Sequence, residues 1–203
     1  DSLNSINYVE NTAKQLSKIG GGVAIDLTNL RARGESIKGI KGVAKGVIPV
    51  AKSLELGFAY ADQLGQRPGA GAAYLNIFHY DVLDFLDTKK VNADESLRLP
   101  TLSTGLVVPS FFFELAKENK DFYMFGPHSI LREYGLNFSE IDIEKYYEDF
   151  VSNPLIYKRK YNARDFLNLI AQTQLQSGYP YLMFKDNANK VHALKEIGDI
   201  HQS

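Results

Sequence analysis

At 203 residues, with 44% apolar and 23% charged side chains, the chain is long enough for one domain with a real hydrophobic core and has an ordinary globular composition. A formal net charge of −1 argues against wholesale nucleic-acid or membrane binding by bulk electrostatics. No apolar run reaches the roughly eighteen residues of a membrane span, and Asp1-Ser2-Leu3-Asn4 lacks the basic-then-apolar layout of a signal peptide. The absence of cysteine excludes disulfides, thiolate metal sites and cysteine nucleophiles within these residues. The histidines His79, His128, His192 and His201 show no metal-ligand spacing.

Leu3, Ile6, Val9, Ala13 and Leu16 recur at helical spacing, with Asp1 or Ser2 as cap and Gly20-Gly21-Gly22 as stop. Val23 to Leu27 reads as a buried strand, and the glycine- and lysine-rich stretch from Arg31 to Gly46 as loop. A second helix is predicted from near Pro49 through Leu54, Phe58 and Ala61. Gln63 to Gly71 is a glycine-rich loop, and Ala73 to Phe78 a second strand. Asp81 should cap a short helix carrying Val82, Phe85 and Leu86. Thr101 to Val108 resembles a third strand, and Ser110 should cap a helix with Phe111, Leu115 and Ala116. A connecting region holds one helix around Ile143 to Val151. Asn162, with Asp165 three positions later, opens a helix whose buried stripe is Phe166, Leu169, Ile170 and Leu175. Tyr179 to Phe184 is a further strand, and the polar tail from Lys185 is mostly irregular. Strands alternating with helices imply an α/β fold with a mostly parallel sheet.

Three stretches are candidates for chemistry. Arg31, Arg33, Lys38, Lys41, Lys45 and Lys52 are opposed by Glu35 alone, a local excess that suits phosphate oxygens or a solvated loop equally well. Gly34 to Lys41 imitates a P-loop, but its lysine comes one residue late and no strand directly precedes it. Gln63 to Gly71, with Arg67 as its only charge, reads as a ligand-approaching loop or a mobile connector. Gly20 to Gly22 reads first as a helix stop. Spacing singles out no acid–base pair among the carboxylates.

Taken together and in order, these segments resemble the large (alpha, catalytic) subunit of class Ib ribonucleotide reductases. The resemblance rests on Lys18-Ile19-Gly20-Gly21-Gly22-Val23-Ala24-Ile25-Asp26-Leu27, Asn29 to Gly34, Gly46 to Val50, Tyr60 to Arg67 and Gly69 to Leu75. Phe85 to Lys90, Asn92 to Glu95 and Ser177 to Phe184 extend it over nearly the whole chain. Leu99-Pro100-Thr101, Ser103-Thr104-Gly105 and Asp186 to Asn189 depart from the family pattern.

The resemblance implies a single partial domain over residues 1–203. It would form most of the first half of a ten-stranded α/β barrel built from two antiparallel halves of five parallel strands. The first strand and the second half would be lacking. It implies reduction of ribonucleoside diphosphates to 2′-deoxyribonucleoside diphosphates by thiyl-radical chemistry, in the cytoplasm. A small (beta) subunit with a dimetal centre and tyrosyl radical would be the partner. Gly22 and Arg67 would face the substrate. Asp1, Ser2, Leu3, Arg31, Lys38 and Gln63 would belong to the site for a specificity effector, a deoxynucleoside triphosphate or ATP with Mg. The first two helices would form a homodimer with the effector at its interface. No catalytic residue or metal ligand falls in this chain. The family's essential cysteines flank its ends, so a split gene, an interrupted reading frame or a cut polypeptide is expected, inactive until joined to the missing portions. The alternatives are a non-catalytic nucleotide-binding or assembly module and an inert structural remnant.

Overall fold

The structure, a computed structural model, describes residues 2–61, 69–194 and 196–201. The elements run α1 (Leu3–Lys18), β1 (Val23–Asp26), α2 (Val47–Tyr60), β2 (Gly71–Asn76), α3 (Val82–Asp87), β3 (Ser103–Val108) and α4 (Ser110–Lys117). They continue through β4 (Asp121–Phe125), α5 (Pro127–Tyr134), a 3-10 turn (Phe138–Glu140), α6 (Ile143–Ser152), β5 (Lys158–Asn162), α7 (Ala163–Ser177), β6 (Tyr181–Phe184) and α8 (Lys185–Val191). Four strands make one parallel sheet in the order β1-β2-β3-β6. This is the parallel α/β arrangement expected of part of a half-barrel.

Local chemistry explains the boundaries. The Ser2 hydroxyl accepts the Ser5 amide at 3.1 Å and so starts α1. The Asn162 side chain accepts the Asp165 amide at 3.0 Å, and Gly178, at φ 75°, ends α7 in the left-handed conformation. Pro49 is the third residue of α2, still in the turn whose amides have no helical acceptor.

The helix-facing side of the sheet, with Ala73, Leu75, Leu106 and Val108, joins one large core. At its centre Phe78 meets Phe111, Phe112, Phe122 and Tyr147 with ring centroids 5.8–6.4 Å apart. Among the described residues, the other face carries a small cluster, Tyr74, Val107 and Met183, with Ala188 and Ile200 packed on it. A Cβ on Gly105 would stand 2.2 Å from the Tyr74 ring, so the glycine at this off-pattern position lets the ring lie flat on the sheet.

Several expectations need correction. Ser110 does not cap α4: it is the first helical residue, and its amide is taken by Asp186 at 2.5 Å. Leu175 is 88% exposed. Nine residues from Phe166 is half a turn out of phase, so the buried stripe runs through Phe166, Ile170 and Thr173 instead. The connecting region contains α5 and an antiparallel pair, β4 with β5, and the tail begins with α8. The apolar side chains of α1 largely face outward: Leu3 is 72% exposed, and Val9 and Leu16 are also exposed.

Candidate functional site

The cationic segment is folded rather than loose. Gly34 and Ala44 close its base through Gly34 N–H to Ala44 O (3.0 Å) and Ala44 N–H to Glu35 O (3.2 Å). Ile37 and Ile40 exchange both backbone bonds at 3.0 Å. Lys38 and Gly39, at φ 51° and 82°, are the two central residues of a mirror-type hairpin turn.

Two buried carboxylates hold this segment, each spent on backbone amides. Asp81 occupies the cap position of α3 but bonds none of its amides. It accepts instead from Arg33 N–H (3.0 and 3.1 Å) and from Val47 N–H (3.1 Å), the first amide of α2. Glu35 accepts from Ala32 N–H (2.8 Å) and, across the fold, from Ser129 N–H (2.8 Å) and His128 N–H (3.3 Å) in the first turn of α5. Burial pushes the Glu35 carboxyl above its ordinary value, and these amides work against that rise. Glu35 is therefore engaged with the backbone, not set out as a surface counter-charge to the cations.

His79 is fully buried beside Asp81. Its Nδ1 accepts the Asp81 amide at 3.0 Å, so the proton sits on Nε2, which donates to Leu30 O at 3.0 Å. Burial holds this imidazole below its ordinary value, with the Asp81 charge opposing. The unfolded chain therefore takes up a proton that the native state refuses. The His79 contribution to stability is complete above the unfolded value and is lost as pH falls through about 6.5. Thermal unfolding between pH 8 and 5 should show a steeper decline in the wild type than in His79→Asn. The comparison cancels Asp26 and Glu35, whose burial raises them and whose contributions run the opposite way. Parallel curves would contradict this assignment.

Among the expected site residues, Ser2, Leu3, Arg31 and Lys38 line one cavity of about 610 Å³. Lys45 adds a third cation, and Ile6, Leu30, Ile37, Val43 and Val50 supply apolar wall. A ligand with an anionic end and a flat, less polar end suits such a lining. The Arg31 guanidinium also donates to Ser36 O at 2.5 Å, bracing the hairpin base. Arg33 turns away to Asp84, at 3.5 Å. Lys45 was visible in the sequence as part of the basic run, but nothing there set it apart from Lys41.

Gly22 lies elsewhere. It precedes β1, whose first residue Val23 pairs with Gly71 at the start of β2. A Cβ on Gly22 would meet nothing within 4 Å, so the backbone there is open to approach. Asp1, Gln63 and Arg67 lie outside the described residues. Ala61, just before that loop, and Gly69, within its last residues, sit at the C-terminal end of α2, whereas the cavity adjoins its N-terminal end at Gly46 and Val50. A 14-residue helix is about 21 Å long. Within one chain the cationic cavity and the stems of the 63–71 loop are thus not brought together. Among the described residues, no group of three or more His, Asp or Glu is arranged to hold a metal ion, and no helix is long and apolar enough to cross a membrane.

Comparison with known proteins accords with the parallel α/β fold. Residues 1–203 match the profile of the ribonucleotide reductase barrel domain. The chain belongs to that family. It is 53% identical over 200 residues to the ribonucleoside-diphosphate reductase NrdEB subunit alpha of Bacillus subtilis (strain 168), covering 98% of this chain and 18% of that protein. It is 52% identical over 200 residues to a second B. subtilis ribonucleoside-diphosphate reductase subunit alpha, covering 98% of this chain and 29% of the relative. The alpha subunit of Mycoplasma pneumoniae is 46% identical over 193 residues, covering 95% of this chain and 27% of the relative. The chain thus corresponds to a portion of a large, alpha subunit and spans under a third of the length of these relatives.

Proposed function

We propose that the chain supplies the specificity-effector site and part of the substrate-facing edge of a ribonucleoside-diphosphate reductase large subunit. The reading is carried by the cavity that gathers Ser2, Leu3, Arg31 and Lys38 from α1 and the hairpin. The Arg31 fork and the Lys38 ammonium pair with the phosphates of a deoxynucleoside triphosphate or ATP bound with Mg, and Asp1 accepts from the sugar hydroxyl. The apolar wall takes the less polar part of the nucleotide. Gln63 belongs with the effector site, and Gly22 and Arg67 belong to the substrate side, where Arg67 reaches the base.

The distance between the two ends of α2 is met by a second copy. Leu3, Tyr8 and Leu16 on α1 and Ile19 just after it, with Leu56 and Tyr60 on α2, are exposed and call for cover. A twofold axis across these parallel helices sets the partner's helices antiparallel to them. It thereby brings the C-terminal end of the partner's α2 toward this chain's cavity. Effector binding and dimerisation are then linked, each strengthening the other.

Catalysis needs the missing portions of the large subunit and a small subunit with a dimetal centre and tyrosyl radical. With no cysteine, this chain has no side chain to carry a thiyl radical or form a redox disulfide. Mixing it with polypeptides for the missing portions, the small subunit, a ribonucleoside diphosphate and effector should yield deoxynucleotide, while the chain alone yields none. Absence of product under every combination, with effector still bound, would leave a non-catalytic nucleotide-binding module.

A further inference from the structure

Residues 121–162 add an antiparallel strand pair and two helices beyond the parallel sheet, and none of them lines the cationic cavity. They nevertheless hold the segment that does. Ser139 engages both ends of the Asn29 amide, its N–H donating to Oδ1 at 2.9 Å and its Oγ accepting from Nδ2 at 2.7 Å. Tyr157 donates its hydroxyl to Arg33 O at 3.3 Å, and its own amide is held by Ser129 Oγ at 3.0 Å. The Glu35 carboxylate spans the gap between the two parts, taking Ala32 N–H on one side and the α5 amides on the other. Gly126 makes room for it: a Cβ there would stand 2.4 Å from Glu35 Oε1.

We infer that Glu35 is a positioning residue for the cations of the cavity, fastening the Arg31–Gly46 segment to α5 so that Arg31 and Lys38 present a fixed pair of charges. The inference rests on the reading of the cavity as a triphosphate site. The path is short. Glu35 fixes the amide of Ala32, the residue after Arg31, and Glu35 N–H bonds back to Ala32 O at 3.1 Å. The Arg31 guanidinium crosses the same turn to Ser36 O. Glutamine keeps the shape of the side chain but turns an N–H₂ toward amides that need an acceptor, so the turn must shift. Charge-assisted pairing to phosphates depends on that geometry, whereas contact with a base on the apolar wall depends on it far less.

The test is calorimetric binding of a deoxynucleoside triphosphate and the matching monophosphate to the whole chain and to Glu35→Gln, well below both melting temperatures. The wild type should prefer the triphosphate, and the variant should lose about tenfold of that preference while its monophosphate affinity changes by less than about threefold. A merely structural role would weaken both ligands together and leave their ratio unchanged, which would overturn the inference. Tyr157→Phe, which removes one hydroxyl from the same brace, should shift the ratio in the same direction by less. It decides the matter if Glu35→Gln does not fold. A wild type that binds no triphosphate sinks the reading of the cavity and the inference with it; a preference equally strong in wild type and variants sinks the inference alone.

Discussion

Asp81→Ala is expected to destabilise the chain by about 3 kcal/mol, measured by denaturant unfolding with an unchanged slope. The carboxylate accepts the amides of Arg33 and Val47, 48 and 34 residues away in sequence. Asp81 is 1% exposed, so water cannot readily take its place. Leaving two buried donors without an acceptor costs about 1–3 kcal/mol each. The Gly46 backbone, which stands against Asp81 Oδ2 and Arg33, would lose the contact that seats it. Asp81→Asn keeps one acceptor oxygen and should lose about half as much. A loss below about 1 kcal/mol for alanine would mean that the ends of the cationic segment are held by something other than this carboxylate.

The second large effect concerns binding. Arg31→Ala should weaken triphosphate binding by about 1.5–3 kcal/mol, roughly ten- to a hundredfold, the range of a hydrogen bond to a charged group. Part of that loss is the brace to Ser36 O, which Arg31 also supplies. Arg31→Lys separates the two contributions. It keeps the charge but loses the planar fork, so it should recover only a fraction of the affinity. Raising the salt should weaken the wild type more than Arg31→Ala, because an exposed charge pair is screened. Equal affinity and salt dependence in all three proteins would remove Arg31 from the site.

The parts of the fold legible in the sequence were those set by local chemistry. Ser2 before α1 and the Asn162/Asp165 pair before α7 were readable as caps, and both bonds are present. The parallel sheet followed from short apolar strands alternating with helices. Asp121 to Phe125 was also a short, strand-like apolar run, and Pro127 with Gly135 bracketed α5, yet both elements went unread. The partner of β4, β5 (Lys-Arg-Lys-Tyr-Asn), has no apolar alternation to announce a strand. α8 buries none of its residues, so it carries no periodic signal.

The candidate site divides along the same line. The basic run from Arg31 to Lys52 stood out because charge is visible locally, and only the family resemblance set Arg31 and Lys38 apart within it. The roles of Glu35, Asp81 and His79 were not legible, because each acts on backbone amides or carbonyls contributed by distant segments. The outward turn of Leu3, Val9 and Leu16 was hidden for a different reason. Spacing shows that apolar residues share one side of a helix but not whether that side meets this chain's core or a second molecule.

Amide chemical shifts of the isotope-labelled chain, followed during titration with a deoxynucleoside triphosphate, test the central claim most directly. Saturable shifts should appear at Ser2, Leu3, Arg31, Lys38 and Gly46, the residues around the cationic cavity. Shifts that saturate elsewhere while these five stay unmoved would contradict it.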